Sequence, residues 1–240
     1  MSSDTQSLPD ARLADAADTP IPAYLSDTYW WAYVHPRAVR VFERQWLVNL
    51  ILWGNFSRLR DAALDELGTG IQGRTLQIAC VYGNLTQRLL DRHAARATLD
   101  VVDVLPVQLR NLKAKLRNDA RLSLVRGDSS ALAMPGARYD QALLFFLLHE
   151  QPEEVRRATV AEALRVVKPG GKLVIVDYHR PSRLHPLYWP MKGILRALEP
   201  YALDLWRNEI ETWLPRARPP ARVVSRTMYG GLYQMLSITV

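Results

Sequence analysis

Apolar positions along this chain change their period several times. Val39, Phe42, Trp46, Leu47, Leu50 and Ile51 recur at helical spacing, while Arg37, Arg40, Glu43 and Arg44 fall mostly elsewhere on the wheel. That pattern predicts an amphipathic helix opened by Pro36. From Arg74 onward the runs shorten. Arg74–Ala79, Thr98–Val102, Arg121–Arg126, Tyr139–Leu148 and Lys172–Tyr178 read as strands, with helices starting near Asn84, at Pro106 and from Glu153 to Val167 between them. The run from Tyr139 has strand length and is apolar on both faces, as a strand covered on both sides should be. Strict β and α alternation implies right-handed crossovers and a mostly parallel sheet. Past His179 the pattern breaks into Pro181, Pro186, Pro190, Pro200 and Pro215 interleaved with Tyr188, Trp189, Tyr201, Trp206 and Trp213. This stretch reads as a helical insertion over the carboxyl edge of the sheet, where open α/β sheets bind ligands. Arg222–Met228 and Leu232–Val240, joined by Gly230-Gly231, predict an antiparallel hairpin closing the sheet.

Composition adds bounds rather than elements. The 240 residues are 48% hydrophobic and 23% charged, which suits a single α/β core. We expect residues 1–20 to be a disordered tail, being rich in Ser, Asp, Ala and Thr and lacking the layout of a signal peptide. Residues 21–240 then form one domain, with 21–66 a helical extension and 180–216 the lid insertion. A net charge of +7 is spread along the chain, and seven tryptophans accompany it. Those features favour the anionic inner leaflet of a membrane as a partner. Without zinc spacing, an aromatic RNA-binding signature or a helix-turn-helix, no nucleic-acid partner is expected. Cys80 is the single cysteine, so no intrachain disulfide can form and a cytoplasmic setting follows; a lone cysteine between strand and helix is expected to be buried filler. No apolar run reaches the roughly 20 residues needed to span a bilayer.

The chemistry gathers around Leu76–Thr86, LQIACVYGNLT, a strand, tight loop and helix opening. Twenty residues beyond Gly83, a second apolar run ends at Asp103, the distance at which a Rossmann-type sheet places a ribose-binding acid. A nucleoside ligand is the first expectation. The loop nevertheless holds one glycine where such loops usually have two or three. His149 stands at the carboxyl end of a strand, where catalysis or capping of the following helix are both open to it.

In this order, residues 74–179 resemble class I S-adenosylmethionine-dependent methyltransferases, with RVVKPGGKLVIVDY as a fairly specific mark. The resemblance implies a Rossmann-like α/β fold: a mostly parallel seven-stranded sheet ending in an antiparallel hairpin. It assigns Asp103 and its neighbour Val104 to the ribose, and Asp128 with Ser129 to the adenine. The usual acid, Gly, Cys, Gly, Thr, Gly run is here Gln77, Ala79, Cys80, Val81, Tyr82, Gly83, so two glycines and a carboxylate are missing. With TYWWAY at Thr28–Tyr33 and LVNLILWGNF at Leu47–Phe56, that replacement is similar to one branch, the rhodoquinone biosynthesis proteins. The branch resemblance implies exchange of a ubiquinone ring methoxy group for an amino group, with S-adenosylmethionine as amino donor and Mn2+ as helper.

The residues add a rationale. A neutral Gln77 would stabilise an ammonium less than an acid does, and a free amine is what attack on a quinone requires. Tyr82 and His149 are the expected catalytic residues, Tyr82 as a proton relay. Donor contacts are expected from Gln77, Ala79, Val81, Tyr82, Gly83, Asp103, Val104, Asp128 and Ser129. Quinone contacts are expected from Tyr29, Trp30, Tyr33, Tyr178, His179 and Trp189. Metal ligands stay unassigned. Two alternatives remain open: a methyltransferase acting on a quinone or other lipid, and a non-catalytic module binding S-adenosylmethionine or lipid.

Overall fold

The computed structural model describes residues 13–14, 20–29, 44–116, 119–217 and 219–240. In chain order the elements are β1 (Leu13–Ala14), α1 (Ala23–Thr28), α2 (Gln45–Ile51), α3 (Phe56–Leu67), β2 (Arg74–Ile78), α4 (Leu85–Asp91), β3 (Thr98–Asp103) and α5 (Pro106–Leu116). There follow β4 (Leu122–Arg126), β5 (Tyr139–Phe145), α6 (Glu153–Val166), β6 (Val167–Tyr178), α7 (Tyr188–Leu198), β7 (Arg222–Met228) and β8 (Tyr233–Thr239). Short 3-10 turns lie at Leu148–Glu150, Ala202–Asp204 and Ile210–Trp213.

One sheet runs β1-β4-β3-β2-β5-β6-β8-β7, parallel through β6 and antiparallel in the β6-β8-β7 portion. The seven strands expected are all there. The eighth, β1, is a two-residue strand within the segment expected to be a tail, and it pairs with Leu124 and Val125 at the sheet edge. β2 and β5 are buried along nearly their whole length, as strands sandwiched between helix layers must be.

The turn expected at Lys168-Pro169-Gly170-Gly171 lies inside β6 as a wide bulge. Val167 pairs with Tyr139 and Lys172 with Gln141, so four residues of β6 loop out against one of β5. A Cβ on Gly171 would lie 2.7 Å from the Asp140 carbonyl oxygen, which fixes glycine there.

The amphipathic helix falls partly outside the described residues. Its described end, α2, stops where Trp53 (φ 52°) and Gly54 (φ 79°) reverse the chain into α3. The Asn49 side-chain oxygen accepts the Phe56 backbone N–H at 3.2 Å and supports the start of α3.

The sheet order reverses between β2 and β5. Their crossovers run to opposite sides there, leaving a crevice beyond the carboxyl ends of the strands. No helix among the described residues is long and apolar enough to cross a membrane.

Candidate active site

Two cavities occupy that crevice. The smaller, about 60 Å³, is formed by the loops after β2, β3 and β4 and by Tyr24 and Leu25 of α1. Asp103, at the end of β3, is its central acid. Its Oδ2 accepts the Cys80 N–H at 2.7 Å and its Oδ1 accepts the Leu105 N–H at 2.8 Å. Burial pushes its carboxyl up to about 6 against the pull of these hydrogen bonds. Asp128 folds back on its own loop, with Oδ1 accepting from Ser130 N–H and Oγ–H. Ser129 Oγ bonds Thr159 of α6 and accepts from Gln151.

Ala79, Asp103, Val104, Asp128 and Ser129 therefore come together as expected of a nucleoside cradle. The donor set suits ribose hydroxyls at Asp103, whose oxygens each keep a lone pair, and an adenine amine near Asp128. The free space, however, amounts to about two water molecules. Tyr24 closes it from above: the carboxylates of Glu150, Asp128 and Asp103 add to burial in raising its pKa, while a hydrogen bond with Gln151 opposes them.

The loop after β2 departs from expectation in its detail. Gln77 is fully buried and lines neither cavity; its Nε2 donates to the Ala79 carbonyl at 2.9 Å, and its Oε1 has no hydrogen-bond partner. That amide braces Ala79, which takes φ 75° where the resembled families carry glycine. Gly83 lines neither cavity. A Cβ there would meet the Phe56 ring at 3.0 Å, so its role is close packing of α3. Val81 and Tyr82 face the larger cavity instead of the nucleoside side, and the Tyr82 hydroxyl accepts Gln108 Nε2–H at 2.8 Å. Cys80, expected as filler, is half-buried and borders both cavities.

The larger cavity, about 470 Å³, is predominantly apolar. Its floor comes from the ends of β5 and β6 (Phe145, Phe146, Tyr178), one wall from α2 and the Leu52–Phe56 connection, and the other from Met191, Ile194, Leu195 and Leu198 of α7. The insertion thus covers the sheet edge as expected. Phe146 (φ 54°) sits edge-on to Tyr178 and His149 at 5.2 and 5.9 Å between ring centres. Cys80, Phe146 and Glu150 line both cavities and form the wall between them.

His149 supplies the polar chemistry of this cavity. It is buried, with Nδ1 2.9 Å from Asp177 Oδ1 and Nε2 3.8 Å from Glu150 Oε1. Burial alone would lower its pKa, but Asp177, followed by Glu199 and Glu150, raises it to about 9. At neutral pH it is an imidazolium, donating Nδ1–H to Asp177. Asp177, fully buried, also accepts the backbone N–H groups of Leu148, His149 and Tyr178. Glu199, at the end of α7, was not foreseen; burial raises its pKa, while His149 and the Tyr29 hydroxyl lower it.

Three of the six substrate expectations are relocated. Tyr29 is buried against Glu199 behind the cavity wall. His179 lies outside, its Nδ1 bonding the Gly231 carbonyl at 2.8 Å to hold the hairpin turn. Trp189 is on the outer face of α7, because Tyr188, Met191 and Leu195 form the buried face. Tyr178 alone of the described candidates lines the cavity. Trp30 and Tyr33 lie outside the described residues. Mn2+ finds no fit: among the described residues no group of three or more His, Cys, Asp or Glu is disposed to hold a metal, and His149 Nδ1 and Asp177 are already engaged with each other.

Residues 75–171 match the model of the methyltransferase domain. The sheet order and the place of the crevice agree with that match. Part of the sequence is similar to quinone methyltransferases. It is 30% identical over 146 residues to the demethylmenaquinone methyltransferase of Renibacterium salmoninarum, covering 61% of this chain and 56% of that protein. It is 27% identical over 167 residues to the ubiquinone/menaquinone biosynthesis C-methyltransferase of Dinoroseobacter shibae, covering 66% of this chain and 61% of that protein. The chain thus spans under two thirds of either relative. The fold is shared with N-methyltransferase NodS of Bradyrhizobium japonicum in complex with S-adenosylhomocysteine (TM-score 0.57, 15% identity, 84% of this chain and 96% of that one). Human N-acetylserotonin methyltransferase shares it too (TM-score 0.63, 13% identity, 91% of this chain and 60% of that one).

Proposed function

We propose that the chain transfers the amino group of S-adenosylmethionine to a prenylated benzoquinone, replacing a ring methoxy group of ubiquinone as in rhodoquinone synthesis. The observation that carries this reading is the altered first loop. With Gln77 buried, neutral and engaged with Ala79, no carboxylate rises from β2 to hold the donor's ammonium, and Val81 and Tyr82 stand in the acceptor cavity where glycines would leave space.

The residues have defined tasks in it. Asp103 and Asp128 hold the nucleoside, and the apolar walls exclude water from the ring. The neutral amine attacks the ring carbon that bears the methoxy group, and the displaced electron pair moves onto a ring carbonyl oxygen. The His149 imidazolium, fixed by Asp177, stabilises that oxyanion and supplies a proton. Methoxide leaves with a proton as methanol, so the ring loses a C–O bond and gains a C–N bond to a nitrogen still carried by the donor's Cα. Loss of the Cα proton then sends the electron pair of that C–H bond into the quinone, which becomes a quinol, and water hydrolyses the resulting Cα=N bond, releasing the donor as its 2-oxo acid and leaving the amino group on the ring. Tyr82, hydrogen-bonded to Gln108, relays the proton released by the attacking nitrogen, taking it up as its own O–H proton passes to the departing methoxide.

A second reading, C-methylation of a quinone, is favoured by the activities of the relatives. Donor labelled with 15N at the α-amine and 13C at the methyl, incubated with ubiquinone in vesicles, separates the two by mass spectrometry. The proposal expects 15N and no 13C in the quinone product. Product with 13C alone establishes the methyltransferase reading, and donor binding without product establishes a non-catalytic module.

A further inference from the structure

Beyond the cavity itself, its mouth has a composition that an isolated soluble surface does not call for. Leu50 and Ile51 of α2 and Ile194 and Leu198 of α7 line the cavity, yet they are 64%, 43%, 46% and 48% exposed, so the apolar lining continues outward onto the surface. Trp46 and Trp189 extend the same two helices and are 62% and 64% exposed. Large apolar side chains scattered singly need no explanation, but four that carry a cavity lining outward, with an exposed tryptophan on each of the same two helices, do.

The polar residues among them are of one sign. Neither α2 (QWLVNLI) nor α7 (YWPMKGILRAL) contains an acidic residue. Arg44, immediately before α2, and Arg196 are exposed, and the Lys192 ammonium lies 5.4 Å from the centre of the Trp189 ring. Glu199, the first acid after α7, is turned inward toward His149. An apolar rim on two acid-free helices with exposed basic residues beside it is complementary to a layer of hydrocarbon beneath anionic headgroups, where indole rings and long basic side chains both settle favourably.

The geometry points to the α2/α7 rim as a docking face for an anionic lipid bilayer, so that the cavity opens directly into the hydrocarbon and a prenylated acceptor slides in without crossing water. This rests on the proposed lipid-soluble acceptor for its purpose but not for its test. A protein partner would bury such a rim equally well. The continuity of rim and cavity, and the absence of acids on both helices, select the bilayer.

The test uses the purified full chain in co-sedimentation with vesicles of phosphatidylcholine alone or with 30% phosphatidylglycerol, a composition chosen at about the anionic content that sustains a surface potential. The wild type is expected to partition onto the anionic vesicles. Lys192→Glu with Arg196→Glu is expected to weaken that partitioning at least ~25-fold, from about 1 kcal/mol for each basic residue near the surface. Trp46→Ser is expected to weaken it on both vesicle types. None of these side chains lines either cavity, so turnover of a short-tailed, water-soluble quinone should be unchanged while turnover of the long-tailed quinone in vesicles falls. Equal partitioning of wild type and variants overturns the proposal. So does a dimer in solution that these substitutions dissociate, since the rim would then cover a second copy. Vesicle binding as expected with no activity on any quinone leaves the docking face standing and removes the proposed reaction.

Discussion

The nucleoside side and the acceptor side of the crevice are built by different rules. The first is made of strand ends and their adjoining turns: Ala79, Asp103, Val104, Asp128 and Ser129 each lie within three residues of a strand. Its two carboxylates are held by backbone N–H donors a few residues away or on the neighbouring loop. The second is assembled from residues between 48 and 199, brought together by α2, the β5 and β6 ends and α7, and its single basic group is held by a carboxylate 28 residues distant. A site written in local turns tolerates change in distant helices. A site assembled across the chain depends on buried polar links.

The sharpest way to break that contrast is at Asp177. Asp177→Ala leaves the His149 imidazolium and three backbone N–H groups without their acceptor, and should cost about 3–5 kcal/mol in urea unfolding. Preserved stability would mean that the acceptor side does not depend on this link.

The pH dependence of the same pair comes next. The His149 pKa is raised from its ordinary 6.5 to about 9 in the fold, so its contribution is complete below pH 6.5 and lost as pH rises through 9. On the order of 3 kcal/mol should disappear over that window. His149→Gln should flatten the profile between pH 6.5 and 9, which unfolding at a series of pH values will reveal.

On the nucleoside side the effect is smaller and appears in binding. Asp103→Asn should weaken S-adenosylmethionine at least tenfold by calorimetry, since a charge-assisted hydrogen bond contributes roughly 1.5–3 kcal/mol. Because burial raises this carboxyl to about 6, wild-type affinity should fall as pH drops through that value, and the Asn variant should lack the dependence. For the fold itself the sign is opposite: a carboxyl with a raised pKa gains stability as pH falls from 6 toward 3.8.

The smallest effect belongs to the loop that touches both sides. Tyr82→Phe removes the acceptor of the Gln108 hydrogen bond and the proposed proton acceptor, and should lower kcat about tenfold or more while leaving donor affinity within twofold. Equal losses in both would make Tyr82 a donor contact instead.

This difference also decides what the sequence could reveal. Asp103 was legible because the crossover between two parallel strands has a narrow length range, and the hairpin was legible because Gly230-Gly231 separates two β-rich runs. The helical pattern ended at Ile51 but did not show that Trp53-Gly54 turns the chain into a second helix at Phe56. Trp189 misled because α7 is apolar on both faces, and sequence periodicity does not say which face meets the sheet. Glu199 carried no signal at all: its meaning comes from where α7 ends in space, beside Tyr29 and His149. Gln77 was expected among the donor contacts and is instead buried outside both cavities, since a strand-end side chain points to either face depending on register.

The most direct test of the central claim is a structure of the ternary complex with S-adenosylmethionine and a slow-reacting quinone analogue. The account predicts the donor α-nitrogen in van der Waals contact with the ring carbon that carries the methoxy group, across the Cys80, Phe146 and Glu150 wall, with the ring oxygen facing His149. A methyl carbon aimed at the ring, with the nitrogen held as a cation on the far side of the loop, would contradict it.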